Sequence, residues 1–107
     1  MKKRFKAILP DGIKAKSIDL TKFNTNPVIL LNHDYNEVPI GRATDVKVSN
    51  RGMYFTPSFH KINEASEKIA FLSKEGMITK GYPGGYIETD ENNNVTKFDI
   101  YEISICP

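Results

Sequence analysis

Hydrophobic positions along most of this chain recur with a period of two, the signature of strands buried on one face. From Arg4 to Leu9, the residues Phe5, Ala7 and Leu9 share a face, and Pro10-Asp11-Gly12 ends the segment with turn chemistry. Val28 to Leu31 is an unbroken apolar run after Asn26-Pro27, which predicts a short strand covered on both faces. Tyr35 to Pro39 reads as a loop. Ile40 to Val48 forms a further strand, with Val46 and Val48 set against Asp45 and Lys47. Ser49-Asn50-Arg51-Gly52 is a hairpin turn, and Met53 to Phe59 returns from it; Pro57 in that return predicts an edge or the end of pairing. Gly81-Tyr82-Pro83-Gly84-Gly85 reads as a flexible or tight connection. It is followed by a hairpin of Tyr86–Glu88 and Val95–Ile105 around Asp90-Glu91-Asn92-Asn93-Asn94.

One segment departs from this period. Between about Lys61 and Glu75, the residues Ile62, Ala65, Ile69 and Leu72 fall on a single helical stripe. Gly76 stands where a left-handed cap ends a helix, and Lys74 suits the negative end of the dipole. Phe71 points away from the stripe, toward a second contact face or solvent. About six or seven strands and one principal helix predict a mainly β fold, a small antiparallel barrel or a strongly curved sheet.

Composition narrows the class. The 107 residues make one domain with room for a single modest core. Hydrophobic residues at 39% and charged residues at 26% suit a soluble globular chain rather than a disordered one. A formal charge of +2 argues against a nucleic-acid partner, because the basic residues form no stripe beyond Lys2-Lys3-Arg4 with Lys6. No segment reaches transmembrane length, and the basic start is not followed by an apolar signal segment, so no membrane partner is expected. The single cysteine, Cys106, forms no internal disulfide and fits a reducing cytosol, where it reads as a small buried hydrophobe.

Candidate chemistry lies at the ends of two apolar strings. His33 follows the Val28–Leu31 run and precedes Asp34; if the alternation continues, it shares a face with Ile29 and Leu31. Ser104 lies between Ile103 and Ile105, with Glu102 on its own face two residues earlier. A histidine and a serine brought together are the parts of an acyl-transfer site. Each also has a plain structural reading: a histidine closing a strand end, and a small hydroxyl satisfied by a carbonyl. A metal site from His33, His60 and Asp34 matches no compact ligand spacing, so no metal is expected. Glycines 81 to 85 lack the lysine and helix start of a phosphate loop.

Taken together, the strings Asn26-Pro27-Val28-Ile29-Leu30-Leu31-Asn32-His33-Asp34, Pro39-Ile40-Gly41-Arg42 and Asp99-Ile100-Tyr101-Glu102-Ile103-Ser104-Ile105 carry a resemblance. In this order, with a helix between them, they resemble the caudovirus prohead serine proteases, which share the herpesvirus assemblin-type fold. The resemblance runs from about Phe23 to Pro107. It implies a β-barrel of that type, a capsid-maturation serine endopeptidase, and no cofactor. Ser104 would be the nucleophile and His33 the general base. Glu102 and Asp34 are the local candidates for a third member, because the downstream histidine of the herpesvirus branch has no counterpart in Ile105-Cys106-Pro107. Backbone amides near Gly84-Gly85 are candidate oxyanion donors. The implied partners are scaffold and major capsid protein peptides, cleaved inside the assembling prohead in a bacterial host's cytoplasm, and a second copy of the chain, for which Phe71 could be an anchor.

Two departures from the family accompany this. Thr79-Lys80-Gly81-Tyr82 lacks the serine that many relatives carry before the glycine, and the chain stops soon after the serine strand where relatives continue. Residues 1–107 are therefore expected to be a single prohead-protease-like domain shortened at its C-terminus. The rival expectation is a catalytically inactive binding or assembly module of phage origin on the same barrel.

Overall fold

The computed structural model of the chain describes residues 3–107. Lys2, part of the N-terminal basic cluster, lies outside the described residues. Of that cluster, Arg4 stacks its guanidinium 4.4 Å from the Tyr54 ring centre, and Lys3 donates to the Lys74 carbonyl.

The elements run β1 (Phe5–Ala7), β2 (Ile18–Asp19), α1 (Thr21–Thr25), β3 (Val28–Leu31), β4 (Gly41–Ser49), β5 (Gly52–Phe59), α2 (Glu64–Lys74), β6 (Lys80–Thr89) and β7 (Val95–Ile105). Six of the strands close a barrel in the order β7-β3-β4-β5-β1-β6 and back to β7, while β2 adds to β7 as a short appendage. The expected small β-barrel with one main helix is thus what the chain forms. Its hairpins are antiparallel, but β1–β6, β2–β7 and β3–β7 pair in parallel. The β3–β7 pairing follows from the long connection through three strands and a helix, which can return a strand in the same direction where a tight turn cannot.

Phe5, Phe23, Phe55, Phe98, Ile29, Met53, Ile100, Ile103 and Ile105 are fully buried and fill the core. In β7 the inward residues change phase: Phe98 and Ile100 face the core, and so do Ile103 and Ile105. The change occurs at a bulge, where Gly84 and Gly85 of β6 oppose Glu102 and Ile100, leaving Tyr101 extra. A bulge with one extra residue re-aims every side chain beyond it. Without it, Glu102 and Ser104 would point into the core in place of Ile103 and Ile105. A second bulge, between Thr44 and Lys47 of β4 with Asp45 at φ 50°, moves Val46 and Val48 onto the core side with Ala43.

Several expectations change. The glycine segment 81–85 is not a connection but the first half of β6, paired with β7. Its glycines mark close approach: a Cβ on Gly81 would sit 2.5 Å from the Phe55 ring. Pro57 meets its expectation on one side only: the β1 register on β5 ends at Phe55, before the proline, while on the other side Pro57 stays paired opposite Ala43 of β4.

Helix α2 begins at Glu64, so Ile62 precedes it and is 75% exposed. The buried face is Ser66, Ile69 and Ser73, with Leu72 half-buried. The start is set by Asn63, whose Oδ1 accepts the Ser66 N–H at 2.9 Å while Ser66 Oγ accepts the Asn63 N–H at 3.3 Å, a reciprocal cap. Gly76 closes the helix at φ 76°, as its position predicts, and Phe71 stands 59% exposed. Helix α1 has no counterpart in the sequence reading. It is only five residues long and buries a single apolar side chain, Phe23. Cys106 is exposed rather than buried, because β7 ends at Ile105.

Candidate active site

The outward face of β7 beyond the bulge carries Glu102 and Ser104. Across from them in β6 stand Gly84 and Tyr82, and in β3 Leu30 stands opposite Ser104. Glu102 is 1% exposed and Ser104 fully covered. Two polar side chains buried side by side need partners. They find the first in each other: the Ser104 hydroxyl donates to Glu102 Oε1 at 2.8 Å.

The rest comes from the segment after β3. Asn32 donates its N–H to the Ile105 carbonyl, prolonging the parallel ladder by one bond. Asn32 and His33 then both adopt left-handed backbone, at φ 53° and 56°, and the Asp34 N–H turns back to the Leu31 carbonyl. Such a turn is uncommon outside glycine and asparagine. It takes His33 off the Ile29 and Leu31 face, where continued alternation would have put it, and lays it over the outer face of β7.

There the His33 backbone N–H donates to Ser104 Oγ at 2.9 Å. Its ring Nδ1 lies 2.7 Å from Glu102 Oε2. The residues meet across sequence separations of 71 and 69. The carboxylate of Glu102 thus joins the serine on one oxygen and the histidine on the other. The ring makes this contact through Nδ1, and the His33 side chain is 41% exposed. Ser104 itself is the innermost member, holding one bond as donor and one as acceptor.

Two further residues belong to the site in roles that the sequence pattern does not signal. The Tyr35 hydroxyl donates to Glu102 Oε2 at 3.2 Å, from a loop that shows only polar spacing. Burial of that hydroxyl, and then the charge of Glu102, push the phenol's pKa up. Gly84 makes room for the carboxylate: a Cβ there would lie 1.9 Å from Glu102 Oε2 and 3.3 Å from His33 Nδ1. Partial desolvation, and then the charge of Glu102, push the exposed thiol of Cys106 up, so it stays a thiol rather than a reactive thiolate.

The other expected residues lie apart from this group. Asp34 is exposed, and its Oδ1 accepts the Asn36 N–H at 2.9 Å in a local turn, so Glu102 is the carboxylate against His33. His60 contacts the Pro39 carbonyl through Nε2 and accepts the Ile62 N–H on Nδ1. Among the described residues no group of three or more His, Cys, Asp or Glu side chains is arranged to hold a metal ion. Gly84 and Gly85 lie in the ladder opposite Glu102 and Ile100 rather than in a free loop. No helix among the described residues is long and apolar enough to cross a membrane.

The chain is thus a closed six-strand barrel with a serine, a histidine and a carboxylate hydrogen-bonded on its outer face. Among curated proteins, the chain is similar to the prohead protease of Escherichia phage T5, with 27% identity over 105 residues. The match takes in 92% of this chain and 48% of that protein, so the chain spans about half the length of the curated relative it matches. This supports a relation to the phage prohead proteases. No protein-family model matches the chain, and no solved structure matches it.

Proposed function

We propose that the chain is the catalytic part of a phage capsid-maturation serine endopeptidase. It would cleave extended segments of scaffold and major capsid protein, and of itself, inside the assembling prohead in a bacterial cytoplasm. The observation that carries this reading is the Glu102 carboxylate shared between Ser104 at 2.8 Å and His33 at 2.7 Å. Similarity to a protein named a prohead protease supports the substrate class.

In this reading Ser104 Oγ attacks the scissile carbonyl carbon and its proton passes to His33. The carbon–nitrogen bond breaks, and the leaving amine takes the proton from the imidazolium. Water then attacks the acyl-serine ester with His33 accepting its proton, and Ser104 regains its hydrogen. Glu102, on Nδ1, would hold the ring and leave Nε2 as the nitrogen that takes the serine proton, and would stabilise the imidazolium when it forms. The hydroxyl hydrogen of Ser104 points to Glu102 Oε1 at rest. The attack therefore requires that hydrogen to swing toward the imidazole and the turn at residues 32–35 to lift off Ser104.

The full burial of Ser104 favours the second reading, a binding or assembly module in which the trio is a satisfied polar patch. A fluorophosphonate probe separates the two. The endopeptidase reading expects stoichiometric labelling of Ser104, detected by intact mass and peptide mapping. Ser104→Ala and His33→Ala should each lose nearly all turnover, and the double variant should be scarcely worse than either, as for residues acting as one unit. Absence of labelling in folded protein, or independent and additive losses, would reject it in favour of the module.

A further inference from the structure

We propose that Tyr35 is a positioning residue for this site, holding the Glu102 carboxylate in the orientation that presents His33. The inference rests on the endopeptidase reading for its meaning, but its geometry is independent of it.

Tyr35 is 64% exposed, yet its hydroxyl reaches a carboxylate that is 1% exposed. An exposed tyrosine on a polar loop ordinarily keeps its hydroxyl in water, where it loses nothing. Here the loop is folded back to deliver it. The Asp34 N–H bonds to the Leu31 carbonyl at 3.1 Å, and the Asn36 N–H bonds to Asp34 Oδ1 at 2.9 Å, which places Tyr35 at the apex between two closures.

The phenol lands on Oε2, the oxygen that also accepts His33 Nδ1–H, while Oε1 takes Ser104. An ionised carboxylate offers about four acceptor positions. Three are filled by donors from the two segments that build the site. Without Tyr35, Oε2 is held by His33 alone, and the carboxylate is freer to turn about its last torsion. Gly84 offers no side chain to stop it. With the phenol in place, both oxygens are fixed, and so is the ring that Glu102 orients. The raised pKa of Tyr35 keeps it a donor throughout the neutral range.

The test uses Tyr35→Phe, which keeps the ring and removes the donor. Proton NMR follows the His33 Nδ1–H resonance, assigned by its loss in His33→Gln. The expected result is exchange of that proton with water on the order of tenfold faster than in the unchanged chain, the scale of losing a hydrogen bond to a charged group. Saturation kinetics with the fluorophosphonate should show acylation of Ser104 slowed by on the order of tenfold to a hundredfold, with the probe's half-saturation concentration unchanged. Cooperative melts that leave both proteins fully folded at the assay temperature separate positioning from loss of the fold.

An unchanged Nδ1–H exchange rate would overturn the proposal whatever the kinetics show. If the unchanged chain is not labelled at all, the endopeptidase reading fails. The exchange measurement then still decides whether Tyr35 positions the Glu102–His33 pair.

Discussion

A buried glutamate is tolerated at Glu102 because each of its oxygens has a donor, and because Gly84 leaves the space it occupies. Gly84→Ala tests that fit at the scale of one methyl group. A Cβ 1.9 Å from Oε2 and 3.3 Å from His33 Nδ1 forces the carboxylate aside and crowds the ring it holds. The expected cost is about 1–3 kcal/mol in denaturant melts, the usual range for overfilling a packed site. Labelling of Ser104 should fall much further than stability does. Labelling at the rate of the unchanged chain would mean that the position of Glu102 does not matter to Ser104. The candidates Ser104, His33 and Glu102 were legible as residues, since each sits in or beside an apolar string. Tyr35 was not, and Gly84 was legible only as a candidate oxyanion donor, not as the space for the carboxylate. Their roles come from contacts across 67 residues in one case and across a strand pair in the other.

At the scale of elements, two bulges and two helix ends decide what faces where. The phase change in β7 is visible in the order Phe98, Ile100, Ile103, Ile105, where a spacing of three replaces two. A strict period of two fits one half or the other, never both. The helix α2 shows the opposite case. The stripe of Ile62, Ala65, Ile69 and Leu72 is real as a pattern, but the Asn63 cap begins the helix after Ile62 and turns Ser66, Ile69 and Ser73 inward. A substitution series follows from this. Ile69→Ala, at 5% exposure, should lose about 2–5 kcal/mol. Leu72→Ala, only half-buried, should lose less, and Ile62→Ala should stay within about 0.5 kcal/mol. Asn63→Ala should lose about 0.5–2 kcal/mol with the cap. Chemical denaturation of the four variants checks the ranking; an Ile62 loss equal to that of Ile69 would contradict the observed helix start.

For the whole molecule, closure of the barrel depends on β7, which pairs with β6 along its length and with β2 and β3 on its other side. The β2–α1 segment is strapped onto it by ion pairs. Lys97 reaches Asp19 at 3.3 Å and Lys22 reaches Asp99 at 3.2 Å, while Asp19 also accepts the Thr21 N–H at 2.9 Å. Hydrogen bonds from the Thr21 side chain and backbone, and the contact with Lys97, lower Asp19 from the ordinary 3.8 to about 2. A carboxylate lowered on folding contributes stability that is complete above its unfolded value and is lost as pH falls through its folded one. Acid titration of the melting temperature between pH 4 and about 2 should therefore show a decline that Asp19→Asn reduces. Added salt should weaken this exposed strap. An identical acid profile in Asp19→Asn would assign the decline to other groups.

The sequence by itself determined the class of fold, most strand positions, the main helix and the residues able to carry acyl-transfer chemistry. These depend on local period, turn residues and residue type, all of which are written in neighbouring positions. The tertiary structure alone decided the parallel pairing of β3 with β7, the use of glycines 81 to 85 as strand rather than connection, and the choice of Glu102 over Asp34 as the carboxylate against His33. Each depends on which distant segments meet. Asp34 is adjacent to His33 in sequence but satisfies itself in a local turn, whereas Glu102, 69 residues away, is pinned on a neighbouring strand at 2.7 Å. A left-handed turn at Asn32 and His33 and a one-residue bulge at Tyr101 bring them face to face, and both are stabilised by ladder bonds that form only when the barrel closes.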